Sequence, residues 1–323
     1  LWDKVADYCI NDVLATEATF KARYEDFEAR CLLADLSGLS VNDTTRQHAT
    51  KIIFGNDRNP QKQFNYVDLS EYFPGYKYEA GVSTYRGEVV GEGGRVWAKP
   101  GMYFGLIKTF DIGAMHPHSI IAMQVFGKYT KNFEDLVNAR MAIKHGDYEA
   151  ASKMLGGKLA PYLEDKSKAS ALSYALKIIN NSVYGYTKAS FDCEFRDPRN
   201  VDNIVAKRGA LFMMDLHAKV EELGGEVLHI KTDSIKIPNA TPEIIQFVMD
   251  YGKKYGYTFE HEATYDRMCL VNDAVYIAKY KGGEHDGEWT ATGTQFQGPY
   301  VFKTLFSKEP IEFQDMCETK QVS

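Results

Sequence analysis

The chain is poor in cysteine. Its 323 residues include five (Cys9, Cys31, Cys193, Cys269 and Cys317), an odd number, scattered and never spaced as CxxC. That excludes a disulfide framework and a zinc ribbon, and it points to reduced thiols in a cytosol-like compartment. Long apolar runs are also missing. Nowhere do ~18 apolar residues follow one another, so no membrane span is expected. No GxxxxGK[ST] occurs, which disfavours a P-loop NTPase, and no GxSxG, which disfavours covalent acyl transfer. The opening residues do not read as a signal peptide, and no internal repeat is expected. An excess of base is lacking too: 38 Lys and Arg stand against 44 Asp and Glu, a net charge of −6. That total weighs against a nucleic-acid partner, because phosphate binding relies on cationic neutralisation.

What is present is ordinary globular material: 25% charged and 44% hydrophobic residues, enough for a substantial core and about two domains. The sequence opens inside an expected helix, Trp2 to Arg30, with Val5, Cys9, Val13, Ala18 and Phe20 along one side. It stops at Glu318-Thr-Lys-Gln-Val-Ser323 without a closing element, so both ends read as cuts in a longer protein. Gly55–Gly75, rich in Asn, Asp, Gln, Pro and Gly, is expected to be a surface connection, and Gly87–Gly101 a second Gly-rich one. Leu106–Phe110 reads as a strand. Phe133–His145 reads as a helix ended by Gly146, with Asp147 capping the next and Gly156-Gly157 stopping it. A long helix over Lys168–Tyr184 is expected to end at Gly185, and another over Asn203–Leu223 at Gly224-Gly225. Val227–Ile230 and Ile235–Ile237 read as short strands about a Lys231-Thr-Asp-Ser234 turn. The order of strand, helices and strand hairpin is an α+β pattern.

Two acids occupy suggestive places, Asp111 after the strand Leu106–Phe110 and Asp233 at the tip of the hairpin. Each alone reads as a solvated turn residue. A pair converging on one sheet face would instead hold two divalent metals for phosphoryl transfer, and Mg²⁺ suits such a site. Between them lies Lys177-Ile-Ile-Asn-Asn-Ser-Val-Tyr-Gly185. On a helix Lys177, Asn181 and Tyr184 share one face, while Leu172, Leu176, Ile179 and Val183 form the buried stripe. A chance polar surface would look the same. Arg140 and Lys144, again four apart, read either as a solvated charged face or as a phosphate site.

In this order the segments resemble motifs A, B and C of the family B (alpha-like) DNA-directed DNA polymerases, particularly phage members. Asp111-Ile-Gly-Ala-Met-His-Pro-His118 is similar to DxxSLYPS, Lys177–Gly185 matches KxxxNSxYG in full, and His229-Ile-Lys-Thr-Asp-Ser234 is similar to YxDTDS. Tyr8-Cys-Ile-Asn-Asp12 resembles the YxxxD exonuclease motif, Tyr85-Arg-Gly-Glu88 the YxGG element, and Gly101-Met-Tyr103 the GLY before motif A. Tyr265-Asp266 through Val275-Tyr276 falls where the family carries its KxY primer contact.

The resemblance implies an α+β fold: a palm of antiparallel sheet and helices plus helical fingers, preceded by the tail of an RNase H-like exonuclease domain. On that basis 1–35 is an exonuclease remnant, 36–104 a linker and the start of the palm, and 105–130 the palm with motif A. Fingers follow at 131–185, palm again at 186–290, and a truncated thumb at 291–323. It also implies template-directed addition of dNTPs to a primer 3′-hydroxyl in DNA replication, with the fragment alone open to being inactive. Two Mg²⁺ ions, or Mn²⁺, would be held by Asp111, Asp233 and the Ile112 carbonyl. Arg140, Lys144, Lys177, Asn181, Tyr184 and His116 would bind the nucleotide, with His116 replacing the tyrosine that excludes a ribose 2′-hydroxyl. Tyr276, Lys279, Lys281, Tyr85 and Gly87 would meet primer-template DNA, Lys279 and Lys281 standing in for a KxY lysine replaced by Ala274. Tyr8 and Asp12 would belong to the exonuclease remnant, which lacks its upstream motifs and so is not expected to proofread. Expected partners are primer-template DNA, dNTPs and other replication proteins, without a membrane, in the cytoplasm (the host's, for a phage protein). Lys231 replaces the first acid of motif C, which is expected to weaken metal binding. It motivates the alternative of a catalytically impaired polymerase-like protein that binds primer-template. An unrelated binding module would require every match to be accidental.

Overall fold

The computed structural model describes residues 2–296 and 298–317 and divides into two compact units. One comprises the chain up to Val67 together with His116–Val205; the other comprises Asp68–Met115 and the chain from Ala206 onward. The first unit thus takes in both the segment expected as exonuclease remnant and the one expected as fingers.

The first unit is helical: α1 (Trp2–Ala22), α2 (Tyr24–Ser37), α3 (Thr45–Phe54), α4 (Met115–Ala122), α5 (Thr130–Lys144), α6 (Tyr148–Ser152) and α7 (Lys166–Thr187). The single opening helix expected from the sequence is broken at Arg23, whose backbone leaves the helical region (φ −114°, ψ 29°). The expected apolar side of α1 is not buried, and Trp2 remains 82% exposed. The core instead centres on rings: Phe54 packs against Phe64, Phe126 and Phe195 with centroids 4.9–5.8 Å apart. Helix α3 starts with a reciprocal capping box between Thr44 and Gln47. Asp147 caps α6 as expected, and Asp165 caps α7 by accepting the Lys168 N–H at 2.8 Å.

Along α7, Leu172, Leu176, Ile179 and Val183 are buried, in agreement with the period of the sequence. The helix does not stop at Gly185 but runs to Thr187. A glycine lowers helix propensity without forbidding the helix, and here the last turn is fastened by the Thr187 hydroxyl donating to the Tyr184 carbonyl at 2.7 Å. The Gly55–Gly75 segment is likewise more than a surface connection. It folds into two 3₁₀ turns, Pro60–Gln63 and Leu69–Glu71, and buries Phe64, Val67, Leu69 and Phe73. Its turn-forming composition fixes the bends; the apolar residues between them anchor the segment.

The second unit holds two antiparallel sheets. The smaller consists of β1 (Lys77–Glu79), β2 (Val82–Tyr85) and β3 (Glu88–Val90). Its two-residue hairpin turns, Ala80-Gly81 and Arg86-Gly87, have positive φ at both positions, the mirror-image turn that matches strand twist. The larger has β4 (Val96–Ala98), β5 (Gly101–Ile112), β6 (His229–Lys231), β7 (Ser234–Pro238), β8 (Phe259–Asn272), β9 (Val275–Tyr280) and β10 (Trp289–Thr292), in the order β10-β9-β8-β5-β7-β6-β4. Every neighbouring pair is antiparallel, so the chain is α+β and not a doubly wound α/β protein.

Helices α8 (Ile204–Glu222), α9 (Pro242–Lys254) and the short α10 (Pro299–Phe302) belong to this unit almost entirely. Phe212 of α8 meets Tyr251, Tyr255, Tyr257 and Phe259 in one aromatic cluster. The opposite side of the sheet carries its own apolar cluster of Ile107, Leu228, Tyr265, Met268, Leu270 and Ala278. The small sheet is tied to α8 by buried polar groups. Tyr85 donates its hydroxyl to Asp215 at 2.7 Å, and Lys207 donates to the Val90 and Gly91 carbonyls at 2.8 and 2.5 Å. No helix among the described residues is long and apolar enough to cross a membrane. The Glu318–Ser323 tail lies outside the described residues.

Gly127 tests the packing of the helical unit. Its φ is +53°, and a Cβ there would stand 1.7 Å from the Gln63 carbonyl oxygen. Gly127→Ala is therefore expected to cost at least about 3 kcal/mol in urea unfolding. Gly55→Ala, with φ +67° and open space around the new methyl, should cost about 1 kcal/mol. Equal losses would show that only the backbone angle matters.

Candidate active site at one end of the large sheet

Asp111 and Asp233 come from distant parts of the sequence and meet because β5 pairs with β7. In that pairing Asp111 stands opposite Ser234, and the Ile112 N–H donates to the Asp233 carbonyl at 2.9 Å. Asp111 lies within the long strand and not after a short one, since β5 extends to Ile112. Asp233 sits in the two-residue turn between β6 and β7. Thr232 adopts φ +54° there, an uncommon conformation for a β-branched residue, and its N–H donates to the Arg95 carbonyl at 2.7 Å. Gly94 permits this approach: a Cβ on it would come 2.5 Å from the Thr232 methyl. The hairpin tip is thus held from two sides. Burial, and secondarily the nearby Glu262 carboxylate, push the Asp233 carboxyl above its ordinary pKa.

Strand alternation fixes what else faces these acids. Ser234 and Lys236 of β7 point one way and Ile235 and Ile237 the other. Register then places Asp111 and Thr109 of β5, and His229 and Lys231 of β6, on the side of Lys236. Asp111, Asp233, His229, Lys236, Glu262 and Tyr276 are among the residues lining a single cavity of about 320 Å³. His229 is 1% exposed and Lys236 4%. The Nε2 of His229 donates to the Asp273 carbonyl at 2.9 Å, which leaves Nδ1 buried without a partner. Burial first, then the charges of Lys236 and Lys231, press this imidazole down to about 4, although the Asp273 carbonyl opposes them. Burial also lowers the Lys236 ammonium to about 8 against the pull of Glu262 and Asp111. The face of Tyr276 covers that ammonium, 5.1 Å from ring centroid to Nζ. Lys231, by contrast, is exposed at the rim, where its charge is screened by water.

The donors fit Mg²⁺ in one sense only. Among the described residues no three His, Cys, Asp or Glu side chains gather as a metal-holding group, so there is no closed protein cage. Paired hard carboxylate oxygens suit an ion that keeps water and shares its remaining positions with substrate phosphates.

In the helical unit, α7 carries Lys177 and Asn181 exposed and Tyr184 half-buried. Tyr184 stacks on His116, with centroids 4.1 Å apart and planes at 19°, and Lys188 lies over the same tyrosine ring. Burial first, then Lys188, lowers the His116 imidazole to about 4, so it is neutral at pH 7; its Nδ1 is buried and unpartnered. Arg140 is half-buried, with its basicity lowered by desolvation, and makes no ion pair within the described residues. It lines a cleft of about 580 Å³ with Lys144, Lys166 and Ser170. Ser170 lies two helical turns before Lys177 on α7, so the cleft adjoins the face that bears Lys177 and Asn181. An unpaired guanidinium beside further cations is a site for an anion.

Several expected contacts are placed differently. Tyr85 is 5% exposed with its hydroxyl on Asp215, so it ties the small sheet to α8; Gly87 serves the exposed turn beside it. Lys279 alternates with Tyr276 and Tyr280 and lies on the other side of the sheet, opposite Arg267 and Trp289. Lys281 follows β9 and is exposed, its backbone N–H donating to the Thr264 carbonyl at 2.8 Å. Tyr8 and Asp12 lie on α1, both exposed. Lys236, Glu262 and Lys188 were not singled out by motif. The alternation Ser-Ile-Lys-Ile over 234–237 is the signal that would have assigned Lys236 to the side of the carboxylates.

Comparison with known proteins returned no match, either to a family model or to a curated sequence.

His229 provides a pH test. An unfolded histidine titrates near 6.5, and this one near 4 when folded, so below ~6.5 the unfolded chain binds the additional proton. The contribution of His229 is fully present above ~6.5 and is lost as pH falls toward 4, up to about 3 kcal/mol. His229→Gln should flatten that part of the stability profile relative to the wild type; parallel profiles would refute the assignment.

Proposed function

We propose that the chain is the catalytic portion of a DNA-directed DNA polymerase, adding dNTPs to a primer 3′-hydroxyl under the direction of a template. The observation that carries this reading is the union of Asp111 and Asp233 at one end of an antiparallel sheet by the β5–β7 pairing. In this reading the large sheet is the palm and the helical unit the fingers. Asp111 and Asp233, with the Ile112 carbonyl, would hold two Mg²⁺ ions or Mn²⁺. When bound, such ions would lower the pKa of the attacking hydroxyl and neutralise charge on the transferring phosphate.

The chain's own groups supply the remainder. Arg140 and Lys177, with no carboxylate partner among the described residues, would bind triphosphate oxygens, and Asn181 would support them from the next turn of α7. The hydroxyl gives up its proton to solvent as its oxygen bonds to the α-phosphorus and the bond to pyrophosphate breaks, so charge grows on a leaving group of the kind such cations neutralise. Tyr184, steadied between His116 and Lys188, would lie flat against the nascent base pair. No base-specific contact is needed, since the template selects the nucleotide. Primer-template DNA, dNTPs and other replication proteins are the partners this reading names. Lys231 is what favours the alternative of a non-catalytic primer-template binder. Its exposure supports the active reading, because a screened charge at the rim opposes metal binding less than a buried one.

Extension of a labelled primer in Mg²⁺ is the decisive test. Asp111→Ala and Asp233→Ala should each lower the rate by about 10³-fold or more, while Lys177→Ala and Arg140→Ala should raise the dNTP KM by about tenfold or more. DNA binding without extension by the wild type would select the non-catalytic alternative. A second assay concerns the sugar. With imidazole in place of a phenol, discrimination against ribonucleotides should be weak, and His116→Tyr should raise the dNTP/rNTP preference by about tenfold or more. Unchanged selectivity would remove His116 from the sugar site.

A further inference from the structure

We infer that Lys236 binds a backbone phosphate of the strand end that carries the reacting hydroxyl. The inference rests on the polymerase reading and concerns a residue outside its motifs.

Lys236 is 4% exposed and sits mid-strand in β7, where alternation turns it away from the apolar partners of Ile235 and Ile237 and toward the carboxylates. Among the described residues it makes no ion pair and no side-chain hydrogen bond, and the Tyr276 ring lies over its ammonium. Glu262 and Asp111 act on this ammonium only at a distance, with no ion pair to it among the described residues. Its neighbours across the strands are unsatisfied as well. Thr109 stands opposite it on β5 with its hydroxyl buried and unpartnered, and His229 opposite it on β6 with Nδ1 in the same state.

A buried cation lacking a partner is costly, and the charged form persists in the fold only where a ligand completes it or the fold tolerates the cost. The groups around the cavity define the ligand. The ammonium asks for an anion. The His229 Nδ1, an acceptor because Nε2 donates to Asp273, asks for a hydroxyl or N–H. The Tyr276 ring, packed against His229 and over the ammonium, forms one wall of the cavity. A phosphate joined to a sugar meets these demands together. The same cavity is lined by Asp111 and Asp233, so that phosphate belongs to the strand whose terminal hydroxyl reacts there. The other lysines considered for this contact are less suited: Lys279 lies on the opposite sheet face, and Lys231 is solvated at the rim.

The test uses the full chain and a fluorescent primer-template, with Ca²⁺ replacing Mg²⁺ to hold back chemistry. Lys236→Met should weaken binding about tenfold and reduce the slope of log K against log salt by about one. Neutral methylphosphonates are then placed singly at the last phosphates of the primer. One position should cost the wild type about tenfold and cost Lys236→Met nothing more, the non-additivity expected of touching partners. Melting supplies the folding control: Lys236→Met should be as stable as the wild type or more so, since it removes a buried unpaired charge, and Lys236→Gln gives a second variant without the charge. Additive losses at every position would overturn the assignment, as would a fall in melting temperature with unchanged DNA affinity. If the wild type binds no primer-template at all, the polymerase reading fails and this assignment with it; binding with additive losses sinks the assignment alone.

Discussion

The candidate site depends on one pairing, that of β5 with β7. Asp111 and Asp233 are far apart in sequence, and nothing local to either favours their meeting. What brings them together is a ladder from Ile107–Pro238 to Asp111–Ser234, closed by the Ile112 N–H on the Asp233 carbonyl. Because side chains alternate with a period of two, this register also decides which groups accompany them. A slip by one residue would carry Ile235 and Ile237 into the carboxylate cavity and Lys236 into the apolar side. Burial of Phe110, Ile235 and Ile237 therefore specifies the chemistry as well as the stability.

The buried polar groups of the second unit divide into two kinds. Lys207 rests on two backbone carbonyls, and Asp215 on the Tyr85 hydroxyl and the Arg86 guanidinium. These are completed within the protein and read as structural ties. Lys236, His229 Nδ1 and the Thr109 hydroxyl are not completed, and they lie side by side across three adjacent strands. Burial alone does not distinguish the two kinds; satisfaction of hydrogen bonds does.

Much of the fold was legible in the sequence, and the reason is periodicity. The buried stripe of α7 follows from Leu172, Leu176, Ile179 and Val183, and the β6–β7 hairpin from the Lys-Thr-Asp-Ser segment between apolar runs. Less was legible where local composition competed with tertiary burial. Gly55–Gly75 looks like a loop by its turn formers, yet Phe64 and Phe73 join the aromatic cores. Gly185 looks like a helix end, yet the helix continues because its last turn is fastened by Thr187. Of the candidate site, motif residues gave the carboxylates, whereas the strand partners that make Lys236 a neighbour of Asp111 are long-range facts that no single segment contains. Tyr85 shows the converse: a short match suggested a surface role, and the distant Asp215 makes it a buried anchor.

The net charge of −6 initially weighs against any polyanionic partner, and the structure explains why the total is a poor guide. Many of the acids are occupied in ion pairs on the surface, such as Glu17 with Lys21 and Glu149 with Lys153, and these contribute little field beyond their own contact. The cations that matter to the proposed reading are among those without a carboxylate partner in the described residues: Arg140 in its cleft, Lys177 exposed on α7, and Lys236 under Tyr276. A charge that is desolvated and unpaired acts through a lower dielectric than a solvated pair, so a few such groups outweigh a larger number of compensated ones. Arg140 and Lys236 line cavities and not open surface, which concentrates that field where an anion would enter. The balance of charge across the chain bears on solubility; the balance within each cavity decides what can bind there.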